Sequence, residues 1–239
     1  MERTDAPDPL GPAERAPPAR EPVLNVPGPL ALMIGVLLAI HAALTLGPFA
    51  WLHAAIVHGA FIPARLTGGG GWEAITMWLS YALLHGSWMH VALNAVWLAI
   101  FGTPVLRRIG LARFLALCAA GAVGAAALHA LVHWGDARPV IGASGVVSAL
   151  MGAAVRFAFQ PVARLDPARA PRLSLPRTLA NRAALPFIAV WMVANVLFGA
   201  GLMGPDGPSI AWEAHIGGFL VGLLAFSAFD RREWISRAP

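Results

Sequence analysis

Six mostly apolar stretches, at 29–46, 88–106, 111–133, 143–159, 185–203 and 212–229, constrain this chain more than any other feature. A helix of roughly 20 such residues crosses the ~30 Å hydrocarbon layer of a bilayer. Inside that layer a helix satisfies its own backbone N–H and C=O groups without water, which an open strand or loop does not. Composition agrees: 58% of the 239 residues are hydrophobic and 12% charged, against about 25% charged in soluble domains. The expected fold class is all-α, a polytopic membrane protein with six transmembrane helices in one domain over 29–230.

The segment between the first two spans, 47–87, is too broken by glycine and proline for another crossing and too apolar for a solvated loop. It is expected to lie in the membrane interface. Residues 1–28 mix acids, arginines and prolines and cannot bury a core; they read as a disordered Pro-rich cytoplasmic tail, and 231–239 as a short cytoplasmic one. No basic stretch leads into a short apolar run and cleavage site, so no signal peptide is expected. With the N-terminus inside, 15 of the 17 basic residues, all arginines, fall on the cytoplasmic side, and Arg65 and Arg138 outside. That is a strong positive-inside bias. Both termini are therefore expected in the cytoplasm of a bacterium, the chain being integral to its inner membrane. The net charge of +5 reads as topology; the arginines do not interleave with stacking aromatics in a soluble module, so no nucleic acid partner is expected. The lone cysteine, Cys118, lies in an apolar run and allows no disulfide within the chain.

Polar side chains inside membrane helices are costly, and this makes them functional candidates. Here they are mainly Ser144, Ser148, His90, Asn94, His215, His41, His129, His133 and Asn195. Counting residues from the nearest cytoplasmic arginine at 1.5 Å per residue puts Ser144 roughly 18 Å, Asn94 roughly 20 Å, His215 roughly 24 Å and His90 roughly 26 Å above that boundary. Four polar groups on three helices thus share the outer half of the bilayer. Ser144, Ser148 and Gly152 recur every four residues, as do Ala214, Gly218 and Gly222 beside His215. Small residues at that spacing let membrane helices approach closely. Packing along these stripes, with Gly145 beside Ser144, brings His215 within reach of the serine.

A serine becomes a nucleophile when a neighbouring base takes its proton, and a neutral histidine suits that task. The oxyanion that follows needs donors already aimed at it. Ser144 precedes the first helical turn, so the unpaired amides of Gly145 and its neighbours are available and the helix dipole favours negative charge there. His90 and Asn94, four apart, present two side-chain donors from one face.

These residues resemble the rhomboid family of intramembrane serine proteases. GASG at Gly142 to Gly145 is similar to its nucleophile motif, AHIGGFLVG at Ala214 to Gly222 to its AHxxGxxxG helix, and HGSWMHVALN at His85 to Asn94 to its HxxxxHxxxN segment. The similarity covers about 76–230 in order and spacing. It implies a six-helix rhomboid-like bundle with no metal and no cofactor, a Ser144/His215 dyad, and an oxyanion site from His90, Asn94 and the Ser144 amide. It further implies supporting roles for His85 and for Gly142 in the loop entering the fourth span. Its partners would be single-pass transmembrane proteins cut near small residues where their helix unwinds. They would reach the site laterally past the fifth span, and the site would open to the periplasm.

Three features depart from the family pattern. Ser148 stands where an aromatic often stacks on the base, which also makes it a rival nucleophile. Thr76-Met77 replaces a Trp-Arg pair in the first loop, and Leu106 replaces a carboxylate near the end of the second span. Other protease classes fit less well. A zinc enzyme wants HExxH, whereas Ala, Leu and Val separate His129 from His133, which read as marking the outer end of the third span. An aspartyl enzyme needs two intramembrane carboxylates sharing a proton, and the aspartates fall in connections or at span ends. Glu213, two residues from His215, points to another helix face, so a dyad is expected rather than a triad. The remaining alternative is a non-proteolytic rhomboid-like protein that binds transmembrane helices.

Overall fold

The computed structural model describes residues 25–68, 71–164, 170–199 and 211–230. Most of the 1–28 tail, the 231–239 tail and positions 200–203 of the fifth expected span lie outside the described residues. Among the described residues the helices are α1 (Gly28–Leu46), α2 (Phe49–Gly59), α3 (Glu73–Ser80), α4 (Trp88–Ile109), α5 (Leu111–Val132), α6 (Ser144–Ala154), α7 (Leu175–Leu179), α8 (Ala184–Gly199) and α9 (Trp212–Phe229). Of these, α1, α4, α5 and α9 are long and apolar enough to cross a membrane, while α6 and α8 are shorter apolar helices. The chain is an all-α integral membrane protein.

The main departure from the sequence expectation is α6. A span over 143–159 was expected, but the helix has 11 residues, about 16 Å, and ends at Ala154. The reason is its position. Every residue from Gly145 to Ala154 is buried, because α4, α5 and α9 surround the helix. Irregular backbone is tolerated at membrane depth when protein rather than lipid covers it. Beyond Ala154 the buried Arg156 takes over, donating Nη1–H to the Leu223 carbonyl of α9 (2.5 Å) and Nε–H and Nη2–H to Leu173 O (3.0 and 2.9 Å).

Glycine sets the spacing of the inner trio α5, α6 and α9. A Cβ at Gly218 would fall on the Gly145 carbonyl, one at Gly222 on the Ala149 carbonyl, and one at Gly152 on the Phe219 carbonyl. The α6 and α9 backbones therefore touch along their whole shared length. Gly124 and Gly217 do the same between α5 and α9, where a Cβ at Gly217 would fall on the Gly124 carbonyl. With no hydrophobic drive between helices in lipid, such close van der Waals contact is the main source of association.

The outer helices are positioned more locally. Ser87 caps α4, its Oγ accepting the His90 N–H (3.1 Å), and α4 gives way to α5 through the single residue Gly110 at φ +75°, a conformation that favours glycine. Leu30 of α1 packs over Gly102 of α4. α2 and α3 occupy the 47–87 segment. They are tied to the α5–α6 connection by paired Phe61–Val140 backbone bonds (3.0 and 2.8 Å) and by Ala64 N–H to Asp136 O (2.9 Å). In that segment Met77 is fully buried, and Arg65 donates to the Ala60 and Val57 carbonyls. Here α8 is peripheral. Val190 and Val193 are 71% and 56% exposed, and its inner face meets α9 through Trp191 stacked on Phe219 (4.7 Å).

Candidate active site

The loop into α6 is held before the helix starts. Gly142 has φ +129°, and its N–H donates to Tyr81 O (3.0 Å). A Cβ there would meet His90 Nε2 at 2.7 Å and Ser144 Oγ at 3.7 Å, so only glycine suits both the backbone and the space. The Ala143 N–H donates to Nε2 of the buried His85 (3.5 Å). The Tyr81 hydroxyl donates to Ala122 O on α5 (2.8 Å), which fixes this loop against the inner trio. Ser144 is the first residue of α6. The first ladder bond runs from Val147 N–H to Ala143 O (2.9 Å), so the amides of Ser144, Gly145 and Val146 lie ahead of the intrahelical ladder.

Opposite Ser144 stands His215, from the first turn of α9. Its Nε2 lies 2.8 Å from Ser144 Oγ, and its Nδ1 lies 2.6 Å from Asn195 Oδ1 on α8. The roles in this chain are determined from its far end. Asn195 Nδ2 donates to Trp191 O (2.7 Å), so Oδ1 is the atom turned to the ring. Oδ1 is only an acceptor, and Nδ1 therefore carries the proton. That leaves Nε2 as the free base against the serine hydroxyl. The hydrogen bond goes to Ser144; Ser148, one turn on, is buried.

His90 and Asn94 come from the first turns of α4. The Gly86 N–H donates to His90 Nδ1 (3.4 Å), which makes Nε2–H the donor on the edge beside Gly142 and Ser144. Asn94 is buried and spends one Nδ2 proton on His90 O (3.1 Å), with its second N–H still to place. His85 and His90 meet edge to face with centroids 5.0 Å apart. The structure thus brings Ser144, His215, His90, Gly142 and His85 into one place, and Gly145, Gly152, Gly218 and Gly222 into the α6–α9 contact that aligns it.

Sequence reasoning noted Asn195 as an intramembrane polar residue but assigned it no role. The pairing is between helices 20 residues apart, and no spacing rule reports it. Glu213 turns away from His215 to α5, where its Oε1 lies 2.8 Å from His133 Nε2. The group on the far side of the histidine is an amide from α8, which makes a hydrogen-bonded chain of Asn195, His215 and Ser144.

A family model described as the rhomboid domain matches residues 70–231. The chain is 34% identical over 148 residues to the rhomboid protease GlpG of Pectobacterium atrosepticum, covering 62% of this chain and 46% of that protein. It is 33% identical over 156 residues to the rhomboid protease GlpG of Yersinia pestis, covering 63% and 46%. The chain thus matches about half the length of these curated relatives. The matched region holds α4 to α9 and every residue of the candidate site, and the chain belongs to the rhomboid family.

Proposed function

We propose that this protein is an intramembrane serine endopeptidase that hydrolyses peptide bonds in or near transmembrane helices. The observation that carries this reading is the Asn195–His215–Ser144 chain, with contacts of 2.6 and 2.8 Å, beside unpaired amides at the start of α6. Ser144 Oγ attacks the scissile carbonyl carbon as its proton passes to His215 Nε2. The carbonyl oxygen becomes an oxyanion, which the Ser144 and Gly145 amides, His90 Nε2–H and the second Asn94 N–H stabilise. His215 then returns the proton to the departing amine as the C–N bond breaks. Water attacks the resulting acyl-enzyme by the same route, releasing the acid and restoring the serine.

Six membrane crossings, with α6 and α8 as the two short ones, cytoplasmic termini and a site open to the periplasm complete the reading. The outer placement of Arg65 and Arg138 fits the contact between their two loops. Substrates are membrane proteins with a single helix, entering past α8, whose exposed outer face and sparse packing suit a movable wall. Helix-breaking stretches with small residues present the extended backbone that attack requires. The test is cleavage of a panel of single-helix substrates by the full-length protein in liposomes, together with labelling by a fluorophosphonate. Labelling at Ser144 with cleavage is expected. Neither signal from folded protein would move the reading to a non-proteolytic protein that binds transmembrane helices.

Two substitutions probe the parts around the serine. Asn94→Ala removes one oxyanion donor and is expected to lower kcat on the order of 10²-fold; an unchanged kcat takes Asn94 out of that role. Asn195 is a positioning residue, acting through His215. Asn195→Leu is expected to lower kcat roughly 10- to 100-fold, a part of the 10²–10⁴-fold that a positioned base supplies, with KM little changed. Asn195→Asp keeps an acceptor oxygen and is expected to recover most of the rate. Equal loss in both variants would make the bond a packing feature only.

A further inference from the structure

The end of α5 and the first turn of α9 meet in a cluster that the reaction does not use. His129 and His133, one helical turn apart, face Glu213 two residues ahead of His215. His133 Nε2 lies 2.8 Å from Glu213 Oε1, and His129 Nδ1 lies 3.6 Å from Oε2. One ligand atom from each residue fits within 4.8 Å of the other two. Glu213 and His129 are 5% and 8% exposed. Moreover, His129 Nδ1 is a buried nitrogen without a hydrogen-bond partner, aimed at the carboxylate. Buried polar atoms are rarely left in that state, and each one asks for an explanation such as an ion.

We propose that His129, His133 and Glu213 form a binding site for a divalent transition metal of the zinc class, at the same end of the bundle as Ser144. Zinc takes imidazole nitrogen and carboxylate oxygen at about 2.0–2.2 Å in a tetrahedron, which sets ligand atoms roughly 3.4 Å apart. His133 Nε2 at 2.8 Å from Oε1 and His129 Nδ1 at 3.6 Å from Oε2 bracket that value, and with one ligand atom from each residue all three lie within 4.8 Å of one another, close enough for side-chain shifts to bring them onto one ion. Two imidazoles favour zinc over calcium or magnesium, which prefer all-oxygen shells. The His133 side chain is 28% exposed and supplies the entry path and room for water as a fourth ligand.

Other charges nearby are already engaged. Arg138 binds Asp136 through Nε and Nη2 (2.8 and 2.6 Å) and holds that carboxyl down at about 2, so Asp136 stays with the arginine. The sequence pattern disfavoured a metal because the pair lacks the glutamate of HExxH; the carboxylate arrives instead from α9, 80 residues beyond His133. A bound ion would fasten the start of α9, and with it the backbone leading to His215, to the end of α5.

The test is competition for Zn²⁺ between a chromophoric chelator and the untagged full-length protein in detergent, with melting followed in parallel. One Zn²⁺ per chain is expected, and a higher melting temperature in its presence, since a ligand that binds the folded state stabilises it. His133→Ala and Glu213→Gln should each weaken binding by more than about 100-fold, beyond the 10–100-fold typical of groups that only support a ligand. The melting shift should vanish with them. His58→Ala, which removes the separate His58–Glu73 pair (3.0 Å), should leave binding unchanged. Wild-type binding no tighter than that of His133→Ala, or loss on His58→Ala instead, would overturn the proposal. X-ray absorption on the zinc-loaded wild type keeps the question decidable if the variants fold poorly. Two imidazoles and oxygen at about 2.0–2.1 Å are expected, and a shell without imidazole sinks the site.

Discussion

Ser144→Ala is expected to abolish peptide-bond cleavage and fluorophosphonate labelling together while leaving the fold in place. The rate should fall by about 10⁶-fold, the loss seen when a serine hydrolase loses its nucleophile. In the proposed reaction the hydroxyl forms the acyl bond, with His215 Nε2 at 2.8 Å to take its proton. Alanine at the first position of α6 keeps the helix, because the glycine contacts that seat α6 on α9 run through Gly145, Gly152, Gly218 and Gly222. His215→Ala should cost nearly as much, and the double variant no more than either alone, since the two groups act as a unit. The measurement is turnover of a single-helix substrate in liposomes, with the melting temperature recorded on the same samples. A folded Ser144→Ala protein that still cleaves would end the serine mechanism and turn attention to Ser148.

The largest stability effect is expected far from the serine, from Asp230→Ala. Asp230 ends α9 and is 3% exposed. Its Oδ2 accepts from Arg108 Nε and Nη2 at 3.0 and 2.9 Å. Arg108 also donates to Ala170 O (2.5 Å) and lies over the Phe157 ring at 4.6 Å. Arg172 bonds the Asp230 carbonyl (2.9 Å). Removing the carboxylate takes away the acceptor of two N–H groups on a buried guanidinium, and breaking a buried pair from one side costs about 3–5 kcal/mol. Replacing both partners by apolar residues, Arg108→Met with Asp230→Leu, should cost less, because the buried Arg108 charge goes together with the carboxylate it pairs with. Denaturation in mixed micelles checks both. A single variant within ~1 kcal/mol of wild type would mean that the pair is solvated and contributes little.

That pair also marks a limit of reading by pattern. From the sequence, Arg107 and Arg108 are a cytoplasmic boundary and Asp230 a span end, and both statements concern depth alone. In the fold Arg108 is buried and joins α4 to the end of α9 across 122 positions. Leu106, two residues before it, is buried in the apolar core. Composition also missed the length of α6. A hydropathy window reports how apolar a stretch is and not whether lipid or protein covers it.

The sequence alone determined the all-α membrane character and the family, and it set the expectation that Ser144, His215, His90 and Asn94 share one depth. Each follows from local rules: the length of an apolar run, the 1.5 Å rise per residue, and motifs contiguous in the chain. Only the tertiary structure decided that α6 stops at Ala154, that Asn195 stands behind His215, and that Glu213 joins His129 and His133. Each of these depends on which helix faces which, and that is set by backbone contacts at Gly145, Gly218, Gly222 and Gly124 between segments far apart in sequence. A helical repeat records the face a residue occupies. It does not record the neighbour that face meets.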